Sequence, residues 1–105
     1  MSAQASIVKI AADTFSIESA GLDPITVVLV DVGPRSGYVI VRCWDQAWTC
    51  AWMGMGDRTV RQFVASVDDD YLAGKLAQGK GTKNQRVYLQ RVASVVIAAM
   101  KDGVQ

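Results

Sequence analysis

The stretch that decides the fold is Tyr38-Val39-Ile40-Val41-Arg42-Cys43-Trp44-Asp45-Gln46-Ala47-Trp48-Thr49-Cys50-Ala51-Trp52-Met53. Two apolar runs rich in β-branched and aromatic residues flank a short polar break, the pattern of a β-hairpin. Side chains alternate across a strand, so register decides what is buried. A loop at Asp45-Gln46 pairs Trp44 with Ala47, Cys43 with Trp48, Val41 with Cys50 and Val39 with Trp52. One face is then Val39, Val41, Cys43, Trp48, Cys50 and Trp52, wholly apolar. The other face carries Tyr38, Ile40, Arg42, Trp44, Ala47, Thr49, Ala51 and Met53. The two cysteines fall diagonally in this register, which disfavours a disulfide between them. A turn at Gln46-Ala47 would oppose them directly, but those are poor turn residues.

Working towards the N-terminus, Gly33-Pro34-Arg35-Ser36-Gly37 reads as a turn and Ile25-Thr26-Val27-Val28-Leu29-Val30 as a strand. Ala20-Gly21-Leu22-Asp23-Pro24 is a loop. Ile7-Val8-Lys9-Ile10 and Thr14-Phe15-Ser16-Ile17-Glu18 read as a short strand pair or one irregular strand. Towards the C-terminus the period changes from two to 3.6. Asp57 is the expected cap of a helix that buries Val60, Phe63, Val64 and Val67. A second short helix starts at Asp68-Asp69-Asp70, turns Tyr71, Leu72 and Leu76 inward and stops at Gly79. Thr82-x-x-Gln85 is a capping box. The helix after it presents Tyr88, Val92, Val95, Val96 and Ala99, widened by Leu89, Ala93, Ile97 and Met100. A stripe that wide needs cover on two sides, from the sheet and a neighbour, and admits a homodimer.

Strands first and helices last is the order of an α+β fold. The expectation is an antiparallel meander of four or five strands over residues 6–53, followed by helices over 57–67, 69–78 and 83–101 on one face, all in one domain. The chain has 105 residues, half of them hydrophobic and a fifth charged. At this size folding buries about 60% or more of the unfolded surface, so no disulfide or metal is needed. With no histidine, every histidine-based triad, general base and metal site is excluded. Cys43 and Cys50 lack metal-ligand spacing and read as buried, inert thiols. No metal and no cofactor is expected. The first residues hold no basic segment leading into an apolar run, and no stretch is long enough to span a membrane. The expected place of action is the bacterial cytoplasm, with no membrane partner.

The net charge of +1 hides an asymmetry. Residues 1–70 carry five basic and nine acidic side chains, net −4; residues 71–105 carry six basic and one acidic, net +5. Three surfaces follow as candidates. Trp44, with Arg42 and Tyr38 on the outer hairpin face, suits a protein anchor or a stacked base. Asp68, Asp69 and Asp70 suit a helix start and could imitate nucleic acid towards a basic protein. As neighbours on a helix they diverge and cannot converge on one metal ion. Lys80, Lys83, Arg86 and Arg91 form a basic tract that could meet phosphates or simply solvate the helix. Gly54-Met55-Gly56-Asp57-Arg58-Thr59 leads into a helix N-terminus but lacks a phosphate-loop lysine, and Asp57 would repel an anion.

The run Trp44-x3-Trp48-x3-Trp52-x-Gly54-x-Gly56-Asp57-Arg58, then Phe63-x-x-Ser66-x-Asp68, then Tyr71-Leu72-x-x-Lys75-Leu76, resembles a family of small uncharacterised accessory proteins encoded by phages and prophages of Gram-negative bacteria. The resemblance covers about residues 21–78. It implies a setting in which small proteins bind host machinery or defence systems, as anti-CRISPR proteins do. With no catalytic constellation in the chain, the expectation is a non-enzymatic protein that binds and inhibits a host protein. The alternative is a nucleic-acid-binding module using the basic C-terminal helix.

Overall fold

The computed structural model describes residues 4–102. It contains β1 (Asp13–Ile17), β2 (Ile25–Gly33), β3 (Ser36–Cys43), β4 (Gln46–Trp52), α1 (Val60–Ser66), α2 (Asp69–Ala77) and α3 (Lys83–Lys101). The strands form one antiparallel sheet in the order β1-β2-β3-β4, so each strand follows its neighbour in sequence. This is the α+β meander that the change of period announces.

The core lies between one sheet face and the helices. Ile25, Val27 and Leu29 of β2, Val39, Val41 and Cys43 of β3, and Cys50 and Trp52 of β4 are buried against Val60, Val64, Leu72, Leu76, Leu89, Val92 and Val96. The wide stripe on α3 is explained inside the molecule: α3 packs on α1, α2 and β2 together. Its width therefore gives no separate reason for a homodimer.

The hairpin register differs from the expectation by two residues. The loop is Trp44-Asp45, so Cys43 pairs with Gln46, Val41 with Trp48, Val39 with Cys50 and Gly37 with Trp52. A shift of two leaves each side chain of the paired strands on its expected face, while Trp44 passes from the strand into the loop. The gain is room for the largest side chain, because Trp52 now lies opposite a glycine instead of Val39. Gly37 is needed for a second reason. A Cβ there would collide with Val60 and with the Val30 carbonyl, so helix α1 approaches the sheet where a side chain is missing. Both cysteines are free and buried.

Two further boundaries move. Ile7–Ile10 is not a strand; the β1 ladder ends at Asp13 opposite Leu29. Upstream lie Ala11 and Ala12, which pair poorly in sheets, and β2 carries an irregularity between Asp31 and Gly33. The Asp31 carboxylate is also engaged, accepting the Val60 N–H at 2.8 Å to anchor the start of α1. The cap of α1 is Thr59 rather than Asp57, because Thr59 and Gln62 form a reciprocal capping box. The expected box at Thr82 and Gln85 is present. Helix α2 is capped by Asp68, which accepts the Tyr71 N–H at 2.7 Å, and ends on Gln78 in the left-handed region ahead of Gly79.

Candidate functional site

Trp44 is the residue whose place the sequence misjudges most. It is not on the outer face of β3 beside Arg42. It is the first loop residue of the hairpin, at φ 59, a backbone region that bulky side chains rarely adopt. Its side chain is 66% exposed. A hairpin loop with positive φ at its first position normally takes glycine there. A tryptophan held in this conformation stores strain of about 1–3 kcal/mol, and such strain concentrates at functional positions.

Trp44 stands on the rim of a groove of about 800 Å³ between the hairpin tip and the junction of α2 and α3. That volume lies in the upper part of the range for ligand sites, about 300–1,000 Å³. Trp44 and Trp48 line the strand side; Lys80, Arg86 and Tyr88 line the helix side. Trp48 is half-buried and packs at a tilt on Tyr88, with 6.2 Å between ring centroids. The Tyr88 hydroxyl donates to Cys43 Sγ at 3.1 Å, and the Cys43 thiol donates to the Asp23 carbonyl at 3.4 Å. The bond to Cys43, followed by burial and nearby negative charge, pushes the Tyr88 hydroxyl up to about 12. This chain holds the tyrosine ring as a fixed backing for Trp48.

Arg86 owes its position to a glycine. Its guanidinium lies over Gly74 of α2, where an added Cβ would meet Nη2 at 3.0 Å. Its Nε is buried and has no hydrogen-bond partner. The groove is not uniformly basic, since Asp23 and Asp45 line it on the strand side. Gln78 crosses from the end of α2 and donates to the Thr49 carbonyl at 2.7 Å.

The other expected site residues fall into separate places. Arg42 is exposed and Tyr38 half-buried on the outer sheet face, paired with Ala47 and Ala51 of β4. Asp68, Asp69 and Asp70 lie at the start of α2, about 12 Å of helix away from its groove end. Asp69 lines a second hollow of about 420 Å³ together with Arg91, which donates to the Gly21 carbonyl at 3.3 Å. Lys83 is exposed in the first turn of α3 and does not line the groove. The basic tract is thus divided: Lys80 and Arg86 join Trp44, while Arg91 turns away. Among the described residues no group of three or more cysteine or carboxylate side chains is gathered for a metal ion. Burial pushes the Cys50 thiol up to about 11 against the opposing pull of Lys75, so it stays protonated at neutral pH and is a poor nucleophile.

The sequence missed Trp48, Tyr88 and Gln78 as groove residues. Trp48 and Tyr88 carry core-facing periodicity, and only the chain of contacts through Cys43 places them at the edge of the core. Gly74 inside a helix was the available signal for the close approach of Arg86.

With this geometry in place, the comparison with known proteins gives the setting. Residues 5–103 match a phage family, and the chain belongs to it. No curated protein and no solved structure matches the chain. Among the described residues, no helix is long and apolar enough to cross a membrane.

Proposed function

We propose that this phage protein is a non-enzymatic accessory protein that acts in the host cytoplasm by docking on a host protein and blocking it, in the manner of an inhibitor of a bacterial defence effector. The observation that carries the reading is Trp44, exposed and strained on the rim of a groove that also gathers Trp48, Tyr88, Lys80 and Arg86. Tryptophan, tyrosine and arginine are the residue types that dominate binding energy at protein interfaces. A groove with cations on one wall and carboxylates on the other fits a segment of mixed charge.

Affinity capture from host lysate tests this reading. A partner held by the wild-type chain is expected to fall at least tenfold with Trp44→Ala and with the double variant Lys80→Glu/Arg86→Glu. A partner captured equally by all three places docking elsewhere and sinks the assignment of this groove.

A nucleic acid is the second reading, favoured by Lys80 and Arg86 lying opposite a tryptophan that can stack on bases. Asp23 and Asp45 in the same groove, and the division of the basic tract, weigh against it. Binding of single-stranded DNA that weakens steeply with added salt would promote it above the first.

A further inference from the structure

The sheet has two edge strands, β1 and β4, and the chain carries an unpaired strand-former. Of the two edges, β4, Gln-Ala-Trp-Thr-Cys-Ala-Trp, holds no charge, no proline and no bulge, devices that normally protect an edge, whereas β1 carries Asp13. A two-residue hairpin closes on a hydrogen-bonded pair, here Cys43 with Gln46. By alternation, Gln46, Trp48, Cys50 and Trp52 then bond to β3, while Ala47, Thr49 and Ala51 turn their N–H and C=O groups outward. The bond from Gln78 to the Thr49 carbonyl agrees with that parity, and an added strand takes that acceptor in place of Gln78.

The unpaired strand-former is the N-terminal arm, Gln4-Ala5-Ser6-Ile7-Val8-Lys9-Ile10-Ala11-Ala12. Ile7 is 99%, Val8 77% and Ile10 62% exposed, and none of them packs against the core. The radius of gyration, 14.8 Å, exceeds the value of about 13 Å for a compact chain of this length. The arm leaves from the β1 edge of the sheet, roughly 14 Å across three strand spacings from β4, and its pairing with β2 stops at Asp13 opposite Leu29.

We propose that the arm of one copy adds as an antiparallel strand to the β4 edge of a second copy. Antiparallel addition brings the Lys9 end of the arm to the Gln46 end of β4. Lys9 is the arm's single charge, and at that end of β4 stand the carboxylates of Asp45 and Asp23, with no charge on β4 itself. Because strand side chains alternate, Val8 and Ile10 share one face of the added strand and Ile7 and Lys9 the other. Because each copy carries both a donor arm and an acceptor edge, two copies that exchange arms close a two-fold dimer, and one-way addition builds a larger ring or a filament. The arm would share Trp48 and Asp45 with the proposed docking groove, so the two occupants would compete there; the test concerns the purified chain alone, and its failure leaves host docking standing.

The test is complementation, followed by sedimentation equilibrium over a range of concentrations. The wild-type chain is expected to exceed the 11.3 kDa of one copy as concentration rises. An arm variant, Ile7→Asp/Val8→Asp/Ile10→Asp, and an edge variant, Ala47→Pro, are each expected to remain single copies. Mixed together they give a species of twice the single-copy mass and no larger, because one donates and the other accepts. If Ala47→Pro does not fold, Ala47→Lys/Ala51→Lys serves as the edge variant. A wild-type chain that stays single, either variant assembling as the wild type does, or a mixture that stays single overturns the proposal.

Discussion

The β3–β4 hairpin carries Trp44 in its loop and Trp52 at its far end, and the two could hardly be placed more differently. Trp52 is 6% exposed, opposite Gly37, with its indole N–H donating to the Tyr71 hydroxyl at 3.0 Å. Its ring packs on Phe63 at 5.0 Å between centroids; Phe63 in turn meets Tyr71 edge-on and lies under the Arg58 guanidinium. Trp44 has a left-handed backbone and most of its surface in solvent. Every feature around Trp52 lowers the energy of the folded state, whereas the backbone of Trp44 raises it. Selection for stability alone would place glycine, asparagine or aspartate at position 44. The contrast separates an end of the hairpin that stabilises the fold from an end that exposes its indole at a cost in backbone energy.

The strongest test of that division is Trp52→Ala. It leaves a large cavity and strips the Tyr71 hydroxyl of its donor, so urea unfolding is expected to show a loss of about 3–5 kcal/mol. A loss below about 1 kcal/mol would mean that the aromatic cluster does not anchor this end, and the contrast with Trp44 would disappear.

Much of this contrast was written in the alternation of the strands. The face parity of Val39, Val41, Cys43, Cys50 and Trp52 follows from apolar spacing alone, and survives a two-residue error in register because parity repeats every two residues. The position of the loop did not follow from local residue preferences. Asp45-Gln46 reads as a better turn than Trp44-Asp45, and the choice between them is made by a long-range fit: Trp52 against Gly37, and Gly37 against Val60. The groove was half legible. Trp44, Lys80 and Arg86 were each visible as candidates, but their meeting depends on how α2 and α3 return to the hairpin tip. The outcome at Ile7–Ile10 shows the opposite limit, where strong strand preference finds no partner within its own sheet.

Alkaline unfolding reads the two ends in separate windows. Burial raises Cys50, on the core face, from 9.0 to about 11, and the hydrogen bond that the Tyr88 hydroxyl donates to Cys43 is the main cause raising Tyr88, behind the groove, from 10.0 to about 12. In both groups the folded state holds its proton to higher pH than the unfolded state. Their contribution is therefore complete below pH 9 and is lost as pH rises, between pH 9 and 11 for Cys50 and between pH 10 and 12 for Tyr88. The Cys50 step is on the order of 2 kcal/mol. Urea midpoints measured from pH 8 to 12 are expected to fall in both windows, with Cys50→Ala removing the earlier fall and Tyr88→Phe the later. A single fall that either substitution removes entirely would join the two ends into one unit.

Trp44→Gly gives the smallest effect and the most direct one. Glycine adopts positive φ without a steric penalty, so the variant is expected to gain about 1 kcal/mol in stability despite losing an aromatic side chain. The same variant removes the rim of the groove and is expected to lose the partner that the wild-type chain holds. Stability and binding then move in opposite directions at one residue, which is the signature of strain retained for function. If Trp44→Gly instead loses more than about 1 kcal/mol, the indole is packing the hairpin tip against the helices. Trp44 would then do for its end of the hairpin what Trp52 does for the other.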